Sequence, residues 1–318
     1  MKVSMKKETG SIKSGKQGKH PRAFSENLAK NCFLVAAILA IVAVLSIMLY
    51  MFLKGTPALF EVGFTDILFE KEWRPAAKEN PSFGILYIIL TSLVGTTMAI
   101  ILGVPLGILT AVFLTEVAPK RLAALVQPAV ELLAAIPSVI YGLLGIMILT
   151  PWMYKVEKWV FEGSKDHQYT GGANLISAVI VLAIMILPTV VNMSVSAIRA
   201  VDGKLKSASL ALGATKMQTI FKVVIPAAKS GIMTGIVLGI GRALGEAMAI
   251  SLVSGSSVNL PLPFHSVRFL TTAIVSEMSY ADGLHRQVLF TIGLVLFVFI
   301  MVINLILTRM IRGKEKNS

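Results

Sequence analysis

The chain reads as an all-α integral membrane protein, with about six membrane-spanning helices and one helical hairpin held outside the lipid. Three observations predict this class. Mean hydropathy is +0.77, with 55% hydrophobic and 15% charged residues, which is more apolar and less charged than an ordinary soluble domain. The apolar residues gather in stretches near the roughly 20 residues that cross about 30 Å of hydrocarbon. The lysines and arginines are shared unequally between the segments that connect those stretches.

The expected spans are 31–53, 83–114, 122–149, 175–198, 228–253 and 287–311. A basic tail precedes the first, as in a signal peptide, but the apolar run exceeds a signal h-region and no small-residue cleavage site follows. It is therefore read as an uncleaved span. The second and third exceed the length needed and contain Pro105, Pro128 and Pro137, so they are expected to tilt, kink or break. The organisation that follows is a basic tail over 1–30, a transmembrane domain over 31–312 and a short basic end over 313–318.

Orientation follows from the positive charges. The tail, Lys120 and Arg121, the region from Arg199 to Lys229, and the C-terminal end hold about twenty Lys and Arg. The opposite side, including Lys54, Lys71, Arg74, Lys155 and Arg268, holds about nine. Both termini and the segment 203–226 are thus expected in the cytoplasm. The net charge of +13 is explained by this topology and by a polybasic tail near anionic lipid, without nucleic acid.

Several chemistries are not supported. Cys32 is the single cysteine, so no intrachain disulfide forms, and the four histidines have no metal-ligand spacing. Gly10, Gly15 and Lys16 match part of a phosphate-binding loop, but Gln17 stands where a Ser or Thr should hold magnesium. No strand precedes this stretch and no helix follows it. No catalytic residue is assigned, and an ATP-driven process would need another chain to hydrolyse ATP.

Within the fifth span, Arg242 and Glu246 lie about fourteen residues in, roughly 21 Å along a helix. Two charges at a helix centre cost about 5–7 kcal/mol on insertion scales. At i,i+4 they share a face and can neutralise one another. A buried structural pair is one reading; a polar pathway is the favoured one, since an apolar pair would fill space at lower cost. Glu131, in the third span, reads equally as a further member of the pathway or as an interfacial residue. Gly231, Gly235 and Gly239 recur every fourth residue, as do Gly103 and Gly107. Such stripes let helices approach closely, either within the chain or against a second membrane subunit.

The segment 203–226 is too basic to cross a bilayer and too apolar to be a linker. Thr215 and Gln218 form a capping-box pattern, and Met217, Ile220, Phe221 and Val224 make one apolar face. Gly213 is placed for a turn with positive φ, and Pro226 is expected to end the helix. Docking into a cytoplasmic partner is preferred over lying passively on lipid or an accidental likeness to a DNA-binding helix pair.

The spacing of Ser207-Ala208-Ser209, Gly213, Val223, Ile225 and Pro226 resembles the cytoplasmic loop of binding-protein-dependent ABC importer permeases. That loop reads Glu-Ala-Ala, Gly and Ile-x-Leu-Pro at this spacing. Ser207 departs from it, standing where the family has Glu. The stretches 135–145, 226–235, 239–249 and 276–278, and the apolar run 289–297, resemble the phosphate-importing members in particular. The resemblance covers about 84–307.

It implies a type I ABC importer permease fold and a translocation path shared with a sister permease subunit. It further implies an ABC ATPase dimer, which holds ATP and magnesium, and an extracytoplasmic phosphate-binding protein. This chain would bind no cofactor. Ser207, Ala208, Gly213, Thr215, Phe221 and Pro226 would couple to the ATPase, and Arg242, Glu246 and Glu131 would face the substrate. Import of another oxyanion, or gradient-driven transport without an ATPase, are the alternatives.

Overall fold

A computed structural model of the chain describes residues 22–77, 79–164 and 167–315. The glycine-rich stretch at 10–16 and most of the basic tail lie outside these residues. The chain divides into two units, 1–50 and 51–318. The described part of the first is the opening of helix α1 (Arg22–Glu61). Its described side chains are all exposed, as in a helix solvated by hydrocarbon.

The second unit begins within α1 and continues through α2 (Phe64–Phe69) and a short antiparallel hairpin, β1 (Trp73–Arg74) and β2 (Ser82–Phe83). Helix α3 (Leu86–Val112) runs on through a wide turn at Phe113–Val117 into α4 (Lys120–Ala135). Then come α5 (Ser138–Leu144), α6 (Thr150–Val160) and α7 (Leu175–Arg199). The hairpin outside the apolar helices contains α8 (Gly203–Ala211), α9 (Lys216–Thr219) and α10 (Ile225–Ala227). The remainder is α11 (Lys229–Gly245), α12 (Met248–Val253), α13 (Leu270–Glu277) and α14 (Gly283–Glu315).

Among the described residues, five helices are long and apolar enough to cross a membrane: Leu28–Glu61, Leu86–Val117, Ser138–Val160, Leu175–Arg199 and Gly283–Ile306. A sixth arises if Lys216–Ala227 and Lys229–Gly245, bent by 68° at their junction, form one span. The first, second, fourth and sixth expected spans lie on helices close to their predicted bounds.

The third expected span is corrected. The helix stops at Ala135, Ile136 is extended (φ −67, ψ 129), and a new helix begins after Pro137. Proline lacks an N–H and disfavours helical geometry in the residue before it. The apolar span is therefore Ser138–Val160, and the residues before it form the separate amphipathic α4. Pro105 and Pro128 lie inside helices that continue past them. The fifth expected span is likewise two pieces, α11 and α12, separated by Glu246 and Ala247.

Helix α7 is the central element, packed by α3 on one side and α11 on another, and two thirds of its apolar window is buried. The glycine stripes account for this closeness. A Cβ on Gly103 would stand 2.8 Å from the Ile186 side chain, and one on Gly107 2.8 Å from Val190. On α11, Cβ atoms at Gly231 and Gly235 would stand 2.5 Å from Ala197 and 2.7 Å from Met193. The stripes thus serve packing within the chain, onto α7. Asn174 starts that helix by accepting the Ser177 N–H, the usual N-cap arrangement.

Three apolar clusters follow the length of this unit. One joins the end of α1, the β hairpin, α13 and α14 through Ala58, Phe83, Leu270 and Leu289. A middle one gathers Tyr141, Leu182, Ala249 and Phe269 around α7. The third packs Val195 and Ile198 of α7 against Ile220, Val224 and Ala228 at the base of the helical hairpin.

Candidate functional site

Two broken helices meet in the middle cluster. Helix α5, which follows the break at Pro137, packs against α12, which follows the break at Glu246. A Cβ on Gly142 would lie 2.9 Å from Ala249 Cα, so the two backbones are in contact. Each break is braced by a hydrogen bond. The Tyr141 hydroxyl donates to the Leu133 carbonyl at 2.6 Å across the first, and Thr271 Oγ1 donates to the Glu246 carbonyl at 2.6 Å at the second. Irregular backbone in an apolar helix is tolerated where protein buries it or where it lines a cavity.

The expectation that Arg242 and Glu246 pair on one helical face is corrected. Arg242 lies in the last turn of α11, while Glu246 lies past its end in extended geometry (φ −74, ψ 129). The Glu246 carboxylate turns forward and accepts the Ala249 N–H at 2.9 Å, satisfying a donor in the first turn of α12. The i,i+4 rule fails because the helix ends between the two residues. Among the described residues Arg242 makes no hydrogen bond or ion pair. A cation in the last turn suits the negative end of the α11 dipole. Gly241 and Gly245, on either side of Arg242, have open space where a side chain would stand.

Glu131 is not brought to this pair. It is exposed on α4 and accepts from Gln127 Nε2 at 3.0 Å, while Gln127 Oε1 accepts from Arg199 Nη2 at 2.8 Å. The chain Glu131–Gln127–Arg199 ties α4 to the end of α7.

The helical hairpin forms the second candidate surface. Gly213 has φ +85, a conformation that costs glycine little and other residues more. Thr215 Oγ1 accepts the Gln218 N–H at 3.2 Å and Gln218 Oε1 accepts the Thr215 N–H at 2.9 Å, completing the predicted capping box. Ser209 and Thr219 hydroxyls share a hydrogen bond of 2.9 Å between the two helices. Ser207 and Ala208 are exposed, and the Ser207 hydroxyl is turned back onto the Gly203 and Lys204 carbonyls.

The predicted apolar face is split along its length. Ile220 and Val224 are buried in the third cluster, whereas Met217 and Phe221 are about half exposed. With Leu205, Leu210 and Leu212 they leave an apolar patch open, the kind of surface that marks an interaction site. Pro226 does not end the helix. The helical run Lys216–Ala227, widened over Ile220–Val224, carries on through it, and the chain bends at Ala228 instead.

Sequence patterns did not point to the ion pair between Lys206 of α8 and Glu116 in the wide turn after α3. No local pattern relates residues ninety apart. Nor did they assign Glu277, which is buried and accepts Arg268 Nη1, both carboxylate oxygens being within 3.2 Å of Trp73 Nε1 and one 2.7 Å from His285 Nε2. A lone glutamate ending a short helix beside an apolar run was the available signal.

Comparison with known proteins joins these features to a family. Residues 103–316 match the family described as binding-protein-dependent transport system inner membrane component. The chain is 36% identical over 282 residues to the probable ABC transporter permease protein YqgH of Bacillus subtilis, covering 86% of this chain and 88% of that one. It is 35% identical to the phosphate transport system permease protein PstC of Pasteurella multocida, over 80% and 82% of the two chains. PstC of Haemophilus influenzae is 31% identical over 92% and 95%. Among solved structures, a bacterial ABC transporter for import of the acidic polysaccharide alginate aligns with TM-score 0.63 and 20% identity, over 92% of this chain and 99% of that one; that likeness is one of fold.

Proposed function

Since the chain belongs to the family of binding-protein-dependent transport system inner membrane components, we propose that it is the permease subunit of an ATP-driven importer of inorganic phosphate in the bacterial cell membrane. The observation that carries this reading is Arg242, a guanidinium without a partner among the described residues, beside two broken helices in a chain that aligns along most of its length with phosphate permeases. A guanidinium stays charged at every relevant pH and offers a planar donor fork to phosphate oxygens. In a low-dielectric setting, a passing anion gains more from such a charge than it would in water.

In this reading both termini are cytoplasmic and the path is shared with a sister permease subunit of the PstA kind. An extracytoplasmic binding protein delivers phosphate. A separate ATPase dimer, which holds ATP and magnesium, docks on the patch of Leu210, Leu212, Met217 and Phe221. The chain itself is a transport subunit and not an enzyme. Ion pairing of Glu116 with Lys206, and the apolar base of the hairpin, would carry motion of the docked ATPase into α3 and α7. Glu246, bound to the start of α12, holds the break in shape while leaving Arg242 available to the anion. Glu131 would act through Gln127 and Arg199.

The test is an Arg242→Gln variant of the whole importer. It should assemble with its partners and lose phosphate uptake, and phosphate should no longer stimulate ATP hydrolysis. Uptake at the unmodified rate would remove Arg242 from the path. Stimulation of the unmodified importer by sulfate or molybdate, but not phosphate, would move the substrate to another oxyanion.

A further inference from the structure

A second basic site lies away from Arg242, where two sequence-distant loops come together. A cavity of about 560 Å³ opens between the residues just before and within the β hairpin and the loop between α12 and α13. Lys71, Arg74 and Arg268 line it, with Ser256, Ser257 and Asn259. Glu72 is the acidic residue of the lining and is engaged by Arg74 at 3.1 Å. Arg74 is paired with Glu72 and Arg268 with Glu277, so three cations face two carboxylates and Lys71 leaves the recess mildly positive.

The wall is built rather than incidental. Arg268 is only 16% exposed at its side chain and is anchored through one nitrogen, Nη1, by the buried Glu277. Trp73 and His285 hold the same carboxylate, which fastens the β hairpin to the loop. The guanidinium is thereby fixed in place, with its remaining donors uncommitted among the described residues. An anion meeting it does not have to immobilise a flexible side chain, which lowers the cost of binding. Ser266 Oγ accepts the N–H groups of Ser256 and Ser257, at 3.1 and 3.3 Å. That sets the loop and leaves the hydroxyls of both serines without partners among the described residues. Lys71 and Arg74 are exposed and long enough to fold over a small ligand.

The recess is also connected to the break. Arg268 lies three residues before Thr271, whose hydroxyl donates to the Glu246 carbonyl. Three residues of chain separate the guanidinium in the recess from the hydroxyl that braces the broken span.

We infer that this recess is a second anion subsite, taking inorganic phosphate on the outer side of the chain before it reaches Arg242. The inference rests on the phosphate-importer reading and on its topology. Positive residues are the minority on that side, so their concentration in one recess serves a ligand and not membrane orientation. A mildly basic recess raises the local anion concentration without holding it tightly.

The experiment measures equilibrium binding of radiolabelled phosphate to the complete importer without ATP and without its binding protein. An Arg242→Gln background removes the deeper site. Lys71→Gln with Arg74→Gln is the test variant; both positions are exposed, and assembly of the complex is checked by size-exclusion chromatography. Phosphate should still bind the Arg242→Gln importer, and the added pair should weaken it about tenfold, as expected for losing one charge-assisted hydrogen bond. Affinity for the purified binding protein should not change. Unchanged phosphate binding in the test variant overturns the inference. So does unchanged phosphate binding with weakened association of the binding protein, which would make the recess a dock for that protein's carboxylates. An importer with Arg242 intact that transports phosphate normally keeps the functional reading alive in either case. If that importer moves no phosphate, both fail.

Discussion

Replacing Glu277 by alanine tests whether one buried carboxylate holds the β hairpin to the loop before α13. Its side chain is 6% exposed, and those of Arg268 and His285 are 16% and 11% exposed. Removing it strands the Arg268 guanidinium in a largely dry position and frees Trp73 Nε1. Loss of one partner from a buried pair costs about 3–5 kcal/mol. Because Trp73 belongs to β1, much of that cost falls on the hairpin and its anchoring bonds, such as Gly84 N–H to the Glu72 carbonyl at 2.8 Å. An opening free energy reduced by about 3 kcal/mol accelerates amide exchange roughly a hundredfold or more. Hydrogen exchange read by mass spectrometry on peptides spanning 70–86 of the assembled importer measures this directly. Glu277→Gln, which keeps an acceptor for Trp73, should fall between the two. High salt should change little, since a buried pair is poorly screened. Exchange in Glu277→Ala within threefold of the unmodified protein would refute the assignment of the hairpin's stability to this cluster.

Two further substitutions probe packing and coupling. Gly103→Leu should destabilise the α3–α7 contact by about 1–3 kcal/mol or more through overpacking, because even a Cβ there would meet Ile186 at 2.8 Å and the Ala183 carbonyl at 3.0 Å. Gly241→Ala, with open space around it, should leave the thermal unfolding midpoint of the purified complex unchanged. Glu116→Gln removes the ion pair to Lys206. It should preserve ATP hydrolysis while phosphate moved per ATP falls roughly two- to thirtyfold, the span of about 0.5–2 kcal/mol of lost coupling. A charge swap, Glu116→Lys with Lys206→Glu, should recover part of the loss, and an unchanged ratio in Glu116→Gln would place the coupling elsewhere.

Much of the fold was legible because apolar length and charge bias are properties of local sequence. Helices near 31–53, 175–198 and 287–311, the turn at Gly213 and the Thr215–Gln218 capping box follow from patterns within a few residues. A break within 122–149 is expected from its prolines, though not which of them ends the helix; the break within 228–253 is missed because averaged hydropathy does not register a change of backbone conformation. Pro137 was visible as a possible breaker. Nothing comparable marks Glu246, whose extended conformation is supported by Ala249 and by Thr271, twenty-five residues away. The pairing expected between Arg242 and Glu246 failed with that helix.

The sequence by itself determined the membrane class, the amphipathic segment 203–226 between apolar stretches and the charged residues that an apolar span would not carry without a use. These are consequences of transfer free energy and helical period, which act residue by residue. Tertiary structure decided where the charges point and what faces them. It set Arg242 free of Glu246, split the apolar face of the hairpin into a buried edge and an open one, and brought Lys71, Arg74 and Arg268 around one recess. Those outcomes depend on contacts between residues tens to hundreds of positions apart, and a linear pattern has no term for them.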